Sequence, residues 1–461
     1  MIDTLTPYPA YKDSGLPWLG QVPEHWEVRP ASGAFIPNKE RNQGMKEKTV
    51  LSLSYGRIVI KPPEKLHGLV PESFETYQIV NPGDIVLRTT DLQNDHTSMR
   101  VGMVRDRGII TSAYLALRAK VGVSPEFAFQ FLSVWDSSKA IYGYGSGLRQ
   151  NLDFSDFKRM PIAIPPPAEQ AAIVRFLEWA GGRLERTIRA KRKIIALLNE
   201  QKQAIIHRAV TRGLDPDVPL KDSGIPWLGE IPAHWEVPMN NRIFREKIRP
   251  NNDNNLPSLS LSQRDGLILT DNLTERSLKT STYSNWKVTI PGDLVANRFK
   301  AHLGVFFAST LNGIVSFHYG VFKPQIQINT KYFELLYHTS PYRAIFAGRS
   351  NGMTVGLQNL SNQNFYAVRG ILPPLEEQYQ IVSWCEQSTA SLTTVISRLE
   401  REIELLREYR TRLISDVVTG KLDVRAAAAT LPDEPSIDSL VAAHDVLADD
   451  ADETLDTTED V

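Results

Sequence analysis

The polar residues whose types suggest recognition chemistry are arginines, asparagines and glutamines in a few short stretches. They occupy residues 88–94 (RTTDLQN), 147–151 (GLRQN) and 297–300 (NRFK), with one more asparagine at 351. Arginine can pair with guanine through two hydrogen bonds, and asparagine or glutamine can pair in the same way with adenine. These side chains therefore suit the reading of base edges in DNA, although a solvated surface is the better interpretation for any one of them. The candidate contacts are Arg88, Gln93, Asn94, Arg149, Gln150, Asn297, Arg298, Lys300 and Asn351.

Catalytic motifs are missing from the sequence. It contains no GxxxxGK[ST] phosphate loop and no HExxH zinc motif, and Cys385 is its only cysteine. Asp84 and Asp293 each stand alone within a PGD sequence, where an aspartate more often stabilises a turn than transfers a proton. The sequence therefore predicts a chain that is not an enzyme and that binds no cofactor or metal of its own.

The recognition stretches are set in a scaffold that occurs twice. Residues 12–28 (KDSGLPWLGQVPEHWEV) correspond to 221–237 (KDSGIPWLGEIPAHWEV), and PGDIV at 82–86 corresponds to PGDLV at 291–295. The four repeated tryptophans, Trp18, Trp26, Trp227 and Trp235, could stack on bases, but packing is the favoured role for such bulky side chains. A duplicated scaffold that carries different polar side chains suits a target that itself has two different halves.

Each copy ends in a long proline-free stretch with apolar residues at helical spacing. Each stretch predicts a helix of about 40–45 residues, and its narrow apolar stripe predicts a helical partner. The other copy is the favoured partner, in antiparallel orientation, and packing of each helix on its own domain is the alternative. The predicted seam residues are Leu184, Ile188, Ile195, Leu198, Ile205, Leu392, Ile396, Leu399, Ile403, Leu406 and Leu413.

Bulk properties agree with a DNA-binding protein but do not establish one. The 461 residues carry a net charge of −1 with 42% hydrophobic content, and no apolar run is long enough to cross a membrane. Twelve acidic residues lie within 421–461, so the rest of the chain has a net charge of +9. Residues 29–159 carry +5 and residues 238–369 carry +8, which could serve phosphate contacts. The absence of a signal peptide fits a location in the bacterial or archaeal cytoplasm.

The chain resembles the specificity subunit of type I restriction–modification enzymes. The resemblance covers residues 11–422 and rests on the doubled PWLG…HWEV motif and the two PGD anchors. It also rests on GSGLRQNL at 145–152 and on the sequences PPPAEQAAIV and PPLEEQYQIV that open the long helices. The second copy has SNGMT at 350–354 where the family pattern has GSGLRQNLDF, so a role for that loop is less secure.

The resemblance implies an α+β fold with two mixed target recognition domains separated by a pair of long antiparallel helices. Each domain would read one half of a bipartite, asymmetric DNA site, and the helices would contact two modification subunits. S-adenosylmethionine and ATP with Mg²⁺ are expected on the modification and restriction subunits. The predicted boundaries are 1–165 and 214–372 for the domains, 166–213 and 373–421 for the helices, and 422–461 for an acidic, disordered tail.

Two other functions remain open on the residues alone. One is a coiled-coil adaptor that binds only proteins, which absence of DNA affinity in the assembled complex would favour. The other is a methyltransferase that acts alone, which would need a glycine-rich cofactor loop and an Asn/Asp-Pro-Pro-aromatic motif. Neither of these methyltransferase motifs occurs in the sequence.

Overall fold

A computed structural model of the chain describes residues 5–62, 73–90, 99–143, 151–251, 256–263, 265–272, 283, 285–351 and 359–432. The chain divides into two compact units. Unit 1 comprises residues 1–191 and 402–458, and unit 2 comprises residues 192–401 with the last three residues. Each unit thus combines one mixed domain with a part of each long helix.

The mixed domain of unit 1 is built on a four-stranded antiparallel sheet in the order β4-β11-β8-β9. Short two-stranded pairs surround this sheet. Its strands are β1 (Tyr11–Asp13), β2 (Gln21–Pro23), β3 (Glu27–Pro30), β4 (Phe35–Pro37), β5 (Leu51–Ser54), β6 (Arg57–Ile60), β7 (Gln78–Val80), β8 (Ile85–Leu87), β9 (Val101–Met103), β10 (Gly108–Ile110), β11 (Leu115–Ala119) and β12 (Pro161–Ile164).

The mixed domain of unit 2 repeats this plan with a four-stranded sheet in the order β15-β22-β19-β20. Where unit 1 pairs β3 with β12, unit 2 keeps only two isolated bridges, Glu236 with Leu372 and Met239 with Arg369. Its strands are β13 (Leu220–Asp222), β14 (Glu230–Pro232), β15 (Phe244–Glu246), β16 (Leu259–Ser262), β17 (Gly266–Leu269), β18 (Lys287–Thr289), β19 (Leu294–Asn297), β20 (Phe306–Ala308), β21 (Gly313–Val315) and β22 (Tyr319–Pro324).

Short helices accompany each sheet, and one long helix follows each mixed domain in the chain. In chain order they are α1 (Ala31–Ala34), α2 (Pro125–Ser137), α3 (Phe154–Phe157), α4 (Pro167–Arg212), α5 (Asn240–Ile243), α6 (Thr330–Tyr337), α7 (Ser340–Arg349), α8 (Asn362–Tyr366), α9 (Leu375–Val418) and α10 (Arg425–Ala429). Short 3-10 turns occupy Ala140–Gly143, Thr270–Asn272 and Ala301–Leu303. The part of the chain that the structure describes is therefore a mixture of helix and antiparallel sheet, as the predicted α+β class requires.

Local sequence explains where the long helices begin and end. Proline suits the first helical turn, since the backbone N–H that it lacks has no helical partner there, and α4 begins at Pro167. Gly213 and Gly420 follow the two helices with φ of +75° and +77°, a conformation that side chains disfavour. Helix α4 runs through two consecutive glycines at 181–182, although glycine disfavours the interior of a helix. Phe176 and Ala180 pack in the core of unit 1 just before them, and this burial offsets the helix cost of glycine.

The segment that follows α9 differs from the predicted disordered tail starting at 422. Residues 422–432 are described, and they include α10. Val424, Ala428 and Leu431 are buried in the core of unit 1, and Asp423 forms a backbone bridge with Thr6. These apolar side chains give the segment a packed face that a count of acidic residues could not indicate, because only one of the twelve acids lies before residue 433. No helix among the described residues is long and apolar enough to cross a membrane.

Candidate nucleic-acid interface

The first candidate recognition stretch leaves the sheet of unit 1 at the end of β8. Arg88 is half-buried there, and its backbone N–H donates to the carbonyl of Arg100 at 2.8 Å. The carbonyl of the next residue, Thr89, accepts from the N–H of Leu152 at 2.9 Å. This backbone bond places the residue that directly follows the second stretch, 147–151, next to the first stretch. Gln93, Asn94, Arg149 and Gln150 themselves lie outside the described residues.

Unit 2 places its own stretch at the equivalent point, after β19. The N–H of Asn297 donates to the carbonyl of Val305 at 3.0 Å, and the N–H of Leu360 donates to the carbonyl of Arg298 at 3.0 Å. These two bonds match the pair in unit 1. The two domains therefore present different side chains, Arg88 and Thr89 against Asn297 and Arg298, from one backbone arrangement.

The candidate residues of unit 2 have internal partners. The Asn297 carboxamide is buried and accepts from the N–H groups of Phe299 at 3.0 Å and Lys300 at 3.3 Å, so it closes the turn that carries Lys300. Lys300 is half-buried and Asn351 is exposed. Asn351 pairs through its backbone with Asn359 on the far side of the loop. Their contacts with DNA remain predictions.

Arg298 belongs to a charged network around Glu246. Its guanidinium donates to Glu246 Oε1 at 2.6 Å and to Asn362 Oδ1 at 2.8 Å, and Lys287 reaches the same Glu246 oxygen at 3.1 Å. Burial disfavours the charged form of Glu246, but the hydrogen bond from Asn362 and the charges of Arg298 and Lys287 outweigh it and lower the pKa of Glu246. Any contact that Arg298 makes with DNA must come from the 23% of its side chain that remains exposed.

The lone aspartates of the PGD anchors stabilise turns, as predicted. Asp84 accepts from the N–H of Asn81 at 2.9 Å and is bound by both ends of the Arg118 guanidinium. Asp293 likewise accepts from the N–H of Ile290 at 3.0 Å, and Arg249 binds it through two nitrogens. Arg118 lies in β11, whereas Arg249 lies in the segment after β15. The repeat therefore preserves the buried carboxylate and an arginine partner, but the arginine comes from a different part of each domain.

A repeated carboxylate that sequence reasoning left without a role fastens each long helix to its domain. Glu169 in the first turn of α4 accepts from Tyr8 Oη at 2.6 Å and from Trp26 Nε1 at 2.8 Å. Its other oxygen lies 2.7 Å from His25 Nε2. Burial and the hydrogen bond to Glu169 both raise the pKa of Tyr8. We call this cluster of Tyr8, His25, Trp26 and Glu169 the helix clamp of unit 1.

Unit 2 has a smaller version of the clamp. Glu377 in α9 contacts Trp235 Nε1 at 3.0 Å and His234 Nε2 at 2.8 Å. Trp26 and Trp235 are fully buried, which confirms the predicted packing role for these two tryptophans. The histidine and tryptophan of each HWEV motif are therefore partners of the glutamate that opens the helix. The sequence Glu-Gln occurs at 169–170 and again at 377–378. This repetition was the signal from which a shared role of the two glutamates could have been predicted.

Part of each long helix belongs to unit 1, and there the two segments contact each other. Lys191 Nζ lies 2.5 Å from Glu402 Oε2, and Arg410 Nη1 lies 3.8 Å from Glu185 Oε2. As α4 advances from 185 to 191, its partners on α9 descend from 410 to 402, so the two segments are antiparallel. Ile188 lies between these contacts on α4 and is 1% exposed.

The helix segments of unit 2 have the same antiparallel sense. Lys202 Nζ donates to Thr393 Oγ1 at 3.0 Å, and Ile206 and Val210 pack in one core cluster with Ile381 and Cys385. None of the eleven predicted seam residues of either unit is exposed. Five are buried, namely Leu184, Ile188, Ile396, Ile403 and Leu413. Six are half-buried, namely Ile195, Leu198, Ile205, Leu392, Leu399 and Leu406.

Two leucines at equivalent positions of the long helices remain in contact with solvent. Leu197 is 56% exposed in unit 2, and Leu405 is 47% exposed in unit 1. Each is the first residue of a Leu-Leu sequence that occurs at 197–198 and again at 405–406. Leu405 lies with Leu406 and Tyr409 in an open groove of about 590 Å³ between the two helix segments of unit 1. Solvent-exposed apolar residues that recur in both copies are candidates for contacts with another protein.

Comparison with known proteins places the second half of the chain in a described domain family. Residues 237–405 match the model of the type I restriction modification DNA specificity domain. Across the described residues, no group of three or more His, Cys, Asp or Glu side chains could hold a metal ion.

One solved structure shows a similar fold over most of the chain. A chain from work on complex assembly and conformational transition of the type I R-M system aligns with a TM-score of 0.55 and 15% identity. The alignment covers 87% of this chain and 99% of that chain. The HsdS subunit from Thermoanaerobacter tengcongensis aligns with a TM-score of 0.41 and 15% identity, over 87% of this chain and 98% of that one.

Proposed function

We propose that this chain is a specificity subunit of a type I restriction–modification enzyme and that it selects the DNA sequence on which a methyltransferase and endonuclease complex acts. The match of residues 237–405 to the DNA specificity domain supports this. Each mixed domain reads one half of a bipartite, asymmetric site in double-stranded DNA. The chain contributes specificity, while methyl transfer and cleavage take place on partner subunits. It acts where the host chromosome is, in the cytoplasm.

The observation that carries this proposal is the shared backbone with exchanged side chains after β8 and β19. The carbonyls of Thr89 and Arg298 accept equivalent backbone hydrogen bonds, yet one residue is a small hydroxyl side chain and the other a guanidinium. A duplicated sheet that presents different donors and acceptors from one frame is suited to reading two different sequences. A protein that binds only proteins has no comparable need for this divergence.

The long helices serve two further roles in the proposal. They set the distance between the half-sites, and they provide docking sites for two modification subunits, one beside Leu197 and one beside Leu405. The modification subunits bind S-adenosylmethionine and methylate adenine. Restriction subunits, where present, bind ATP with Mg²⁺ and cleave. This division of labour agrees with the lack of phosphate-loop and methyltransferase motifs in the sequence.

The purified chain, free of partners, is expected to transfer no methyl group and to cleave no DNA. The measurement is incorporation of labelled methyl groups from S-adenosylmethionine into DNA that lacks this methylation, such as DNA from a host strain in which the chain is deleted, with and without added modification subunits. Incorporation should require the complete complex and stop when this chain is left out. Methylation by the isolated chain would show that it is itself an enzyme, and a complex without DNA affinity in a filter-binding assay would favour the adaptor function.

Substitution of the candidate base contacts is expected to change sequence preference rather than assembly. A base-reading residue replaced by alanine typically loses about 1–3 kcal/mol of discrimination at one position. Arg88→Ala should relax one half-site and Arg298→Ala the other, as measured by competition between duplexes altered in one half-site. Arg298→Ala also removes a partner of Glu246, so its protein must first be shown to be folded by circular dichroism. Unchanged binding and methylation patterns in both variants would remove these residues from the interface.

A further inference from the structure

A buried arginine, Arg100, lies beneath the first recognition stretch of unit 1. Its side chain is completely buried, which is rare for arginine unless specific partners satisfy its donors. One terminal nitrogen, Nη1, donates to the carbonyl of Thr90 at 2.9 Å and to that of Arg88 at 3.2 Å. The guanidinium therefore holds the backbone of residues 88–90 by its carbonyl oxygens.

The same guanidinium also contacts the chain segment that leads into the second recognition stretch. Its Nε donates to Tyr142 Oη at 3.4 Å, and its central carbon lies 5.6 Å from the centre of the Tyr142 ring. The backbone N–H of Arg100 donates to Asp136 Oδ2 at 2.5 Å, at the end of helix α2. Arg100 thereby links the recognition stretch to a helix of the domain core.

The Arg100 side chain contacts two other parts of the chain, residues 88–90 and Tyr142. Thr90 lies three residues before Gln93 in the sequence, and Arg100 lies six residues after Asn94. Tyr142 precedes the stretch that contains Arg149 and Gln150, and Leu152 follows it and pairs with the carbonyl of Thr89. A change at Arg100 therefore acts on the attachment points of both candidate stretches together.

Unit 2 has no arginine at the position that corresponds to Arg100. Val305 occupies the position of Arg100, because its carbonyl accepts from Asn297 as that of Arg100 accepts from Arg88. There the Asn297 carboxamide closes the turn locally. Hence Arg100 is specific to unit 1, and the second domain of the same molecule provides an internal control.

We propose that Arg100 is a positioning residue for the first half-site: it holds the backbone of residues 88–90, which carries the candidate base contact Arg88, and it contacts no DNA itself. The proposal rests on the proposed function, since it assumes that residues 88–94 and 147–151 read bases. Lysine cannot replace arginine here, because its one nitrogen cannot bind the two carbonyls and also donate to Tyr142 Oη from a second position, as Nη1 and Nε of Arg100 do.

The test uses the full chain in complex with its modification subunits. This complex is mixed with DNA duplexes that contain the sequence that it methylates. For each half-site, discrimination is the affinity for the intact duplex divided by that for a duplex with one altered base pair. The variants are Arg100→Met, Arg100→Lys and, as the control, Arg118→Met, which removes an arginine–carboxylate contact in the same domain away from Tyr142. Salt dependence of binding is measured for each.

Arg100→Met is expected to lower discrimination about tenfold or more at the half-site that Arg88→Ala affects, and to leave the other half-site unchanged. Arg100→Lys should not restore it, and Arg118→Met should retain it. The slope of affinity against salt should stay the same in Arg100→Met, because a buried guanidinium releases no counterions from phosphate. A lower slope would show a direct phosphate contact and overturn the proposal.

Unchanged discrimination in a complex that assembles would also overturn it, as would equal losses in Arg100→Met and Arg118→Met. If Arg100→Met fails to assemble, Tyr142→Leu decides the matter, since it removes the ring and hydroxyl that Arg100 contacts. It should lower discrimination at the same half-site only, and retention there would overturn the proposal. Failure of the proposed function would look different, because the unaltered complex would then discriminate at neither half-site.

Discussion

Glu169→Ala is expected to destabilise unit 1 by about 2–6 kcal/mol, because it leaves two buried donors without their acceptor. The Glu169 side chain is 4% exposed, and the substitution leaves the indole N–H of the fully buried Trp26 without its acceptor. Tyr8 loses its acceptor as well. Each stranded donor costs about 1–3 kcal/mol because water cannot easily replace the carboxylate. The measurement is the free energy of unfolding from denaturant titration, with hydrogen exchange over residues 167–180 to locate the change.

Glu377→Ala in the clamp of unit 2 is the matched control. The Glu377 side chain is 23% exposed and has two partners rather than three, so water can replace part of its hydrogen bonding. The loss should be smaller than for Glu169→Ala and should appear as faster exchange near the start of α9. Equal losses in the two variants, or a loss in Glu169→Ala that spares residues 167–180, would contradict the assignment of Glu169 as the residue that fastens α4.

Ile188→Ala is expected to cost about 2–5 kcal/mol, the usual range for truncation of a large buried aliphatic side chain. Ile188 is 1% exposed and lies between Glu185 and Lys191, which both contact α9 in unit 1. The cavity should loosen the packing of the two helix segments before it alters either half-site preference. Denaturant titration gives the free energy, and analytical ultracentrifugation with the modification subunits tests assembly.

Leu405→Ala, on α9, should affect partner binding more than stability, the opposite of what is expected for Ile188→Ala. Leu405 is 47% exposed, so its truncation removes little packing and should leave the free energy of unfolding within about 0.5 kcal/mol. Binding of a modification subunit should weaken if this leucine is part of a docking site. Strong destabilisation by Leu405→Ala, or an Ile188→Ala protein that is fully stable but reads another sequence, would reverse the roles assigned to these side chains.

The sequence predicted the features that local patterns encode. The doubled motifs predicted two similar domains, the proline-free stretches predicted the long helices, and the resemblance to specificity subunits implied the α+β class. The turn role of Asp84 depends on neighbours within three residues, and the burial of Trp26 follows from its size. The long helices span Pro167–Arg212 and Leu375–Val418, within three residues of the predicted limits at 166, 213, 373 and 421.

Features that depend on distant partners could not be predicted in this way. Glu169 contacts Trp26, which lies 143 residues earlier in the chain. From the sequence alone, Glu169 cannot be told apart from an ordinary exposed glutamate in the first turn of a helix. Arg100 is a single charge in a polar stretch, and only the fold reveals that its donors point inward at carbonyls. Arg298 and Asn297 were predicted as DNA contacts from their side-chain types, but the structure also gives them partners within unit 2.

The most direct test of the proposal that this chain is a two-domain specificity subunit is a map of methylated adenines in the host genome. The map is made with the chain present, deleted and restored. The account predicts one bipartite motif with two different half-sequences, separated by a fixed number of unspecified base pairs. The motif should vanish on deletion and return with the intact chain, and Arg88→Ala should relax one half only. A contiguous or palindromic motif, or methylation that persists without the chain, would contradict the account.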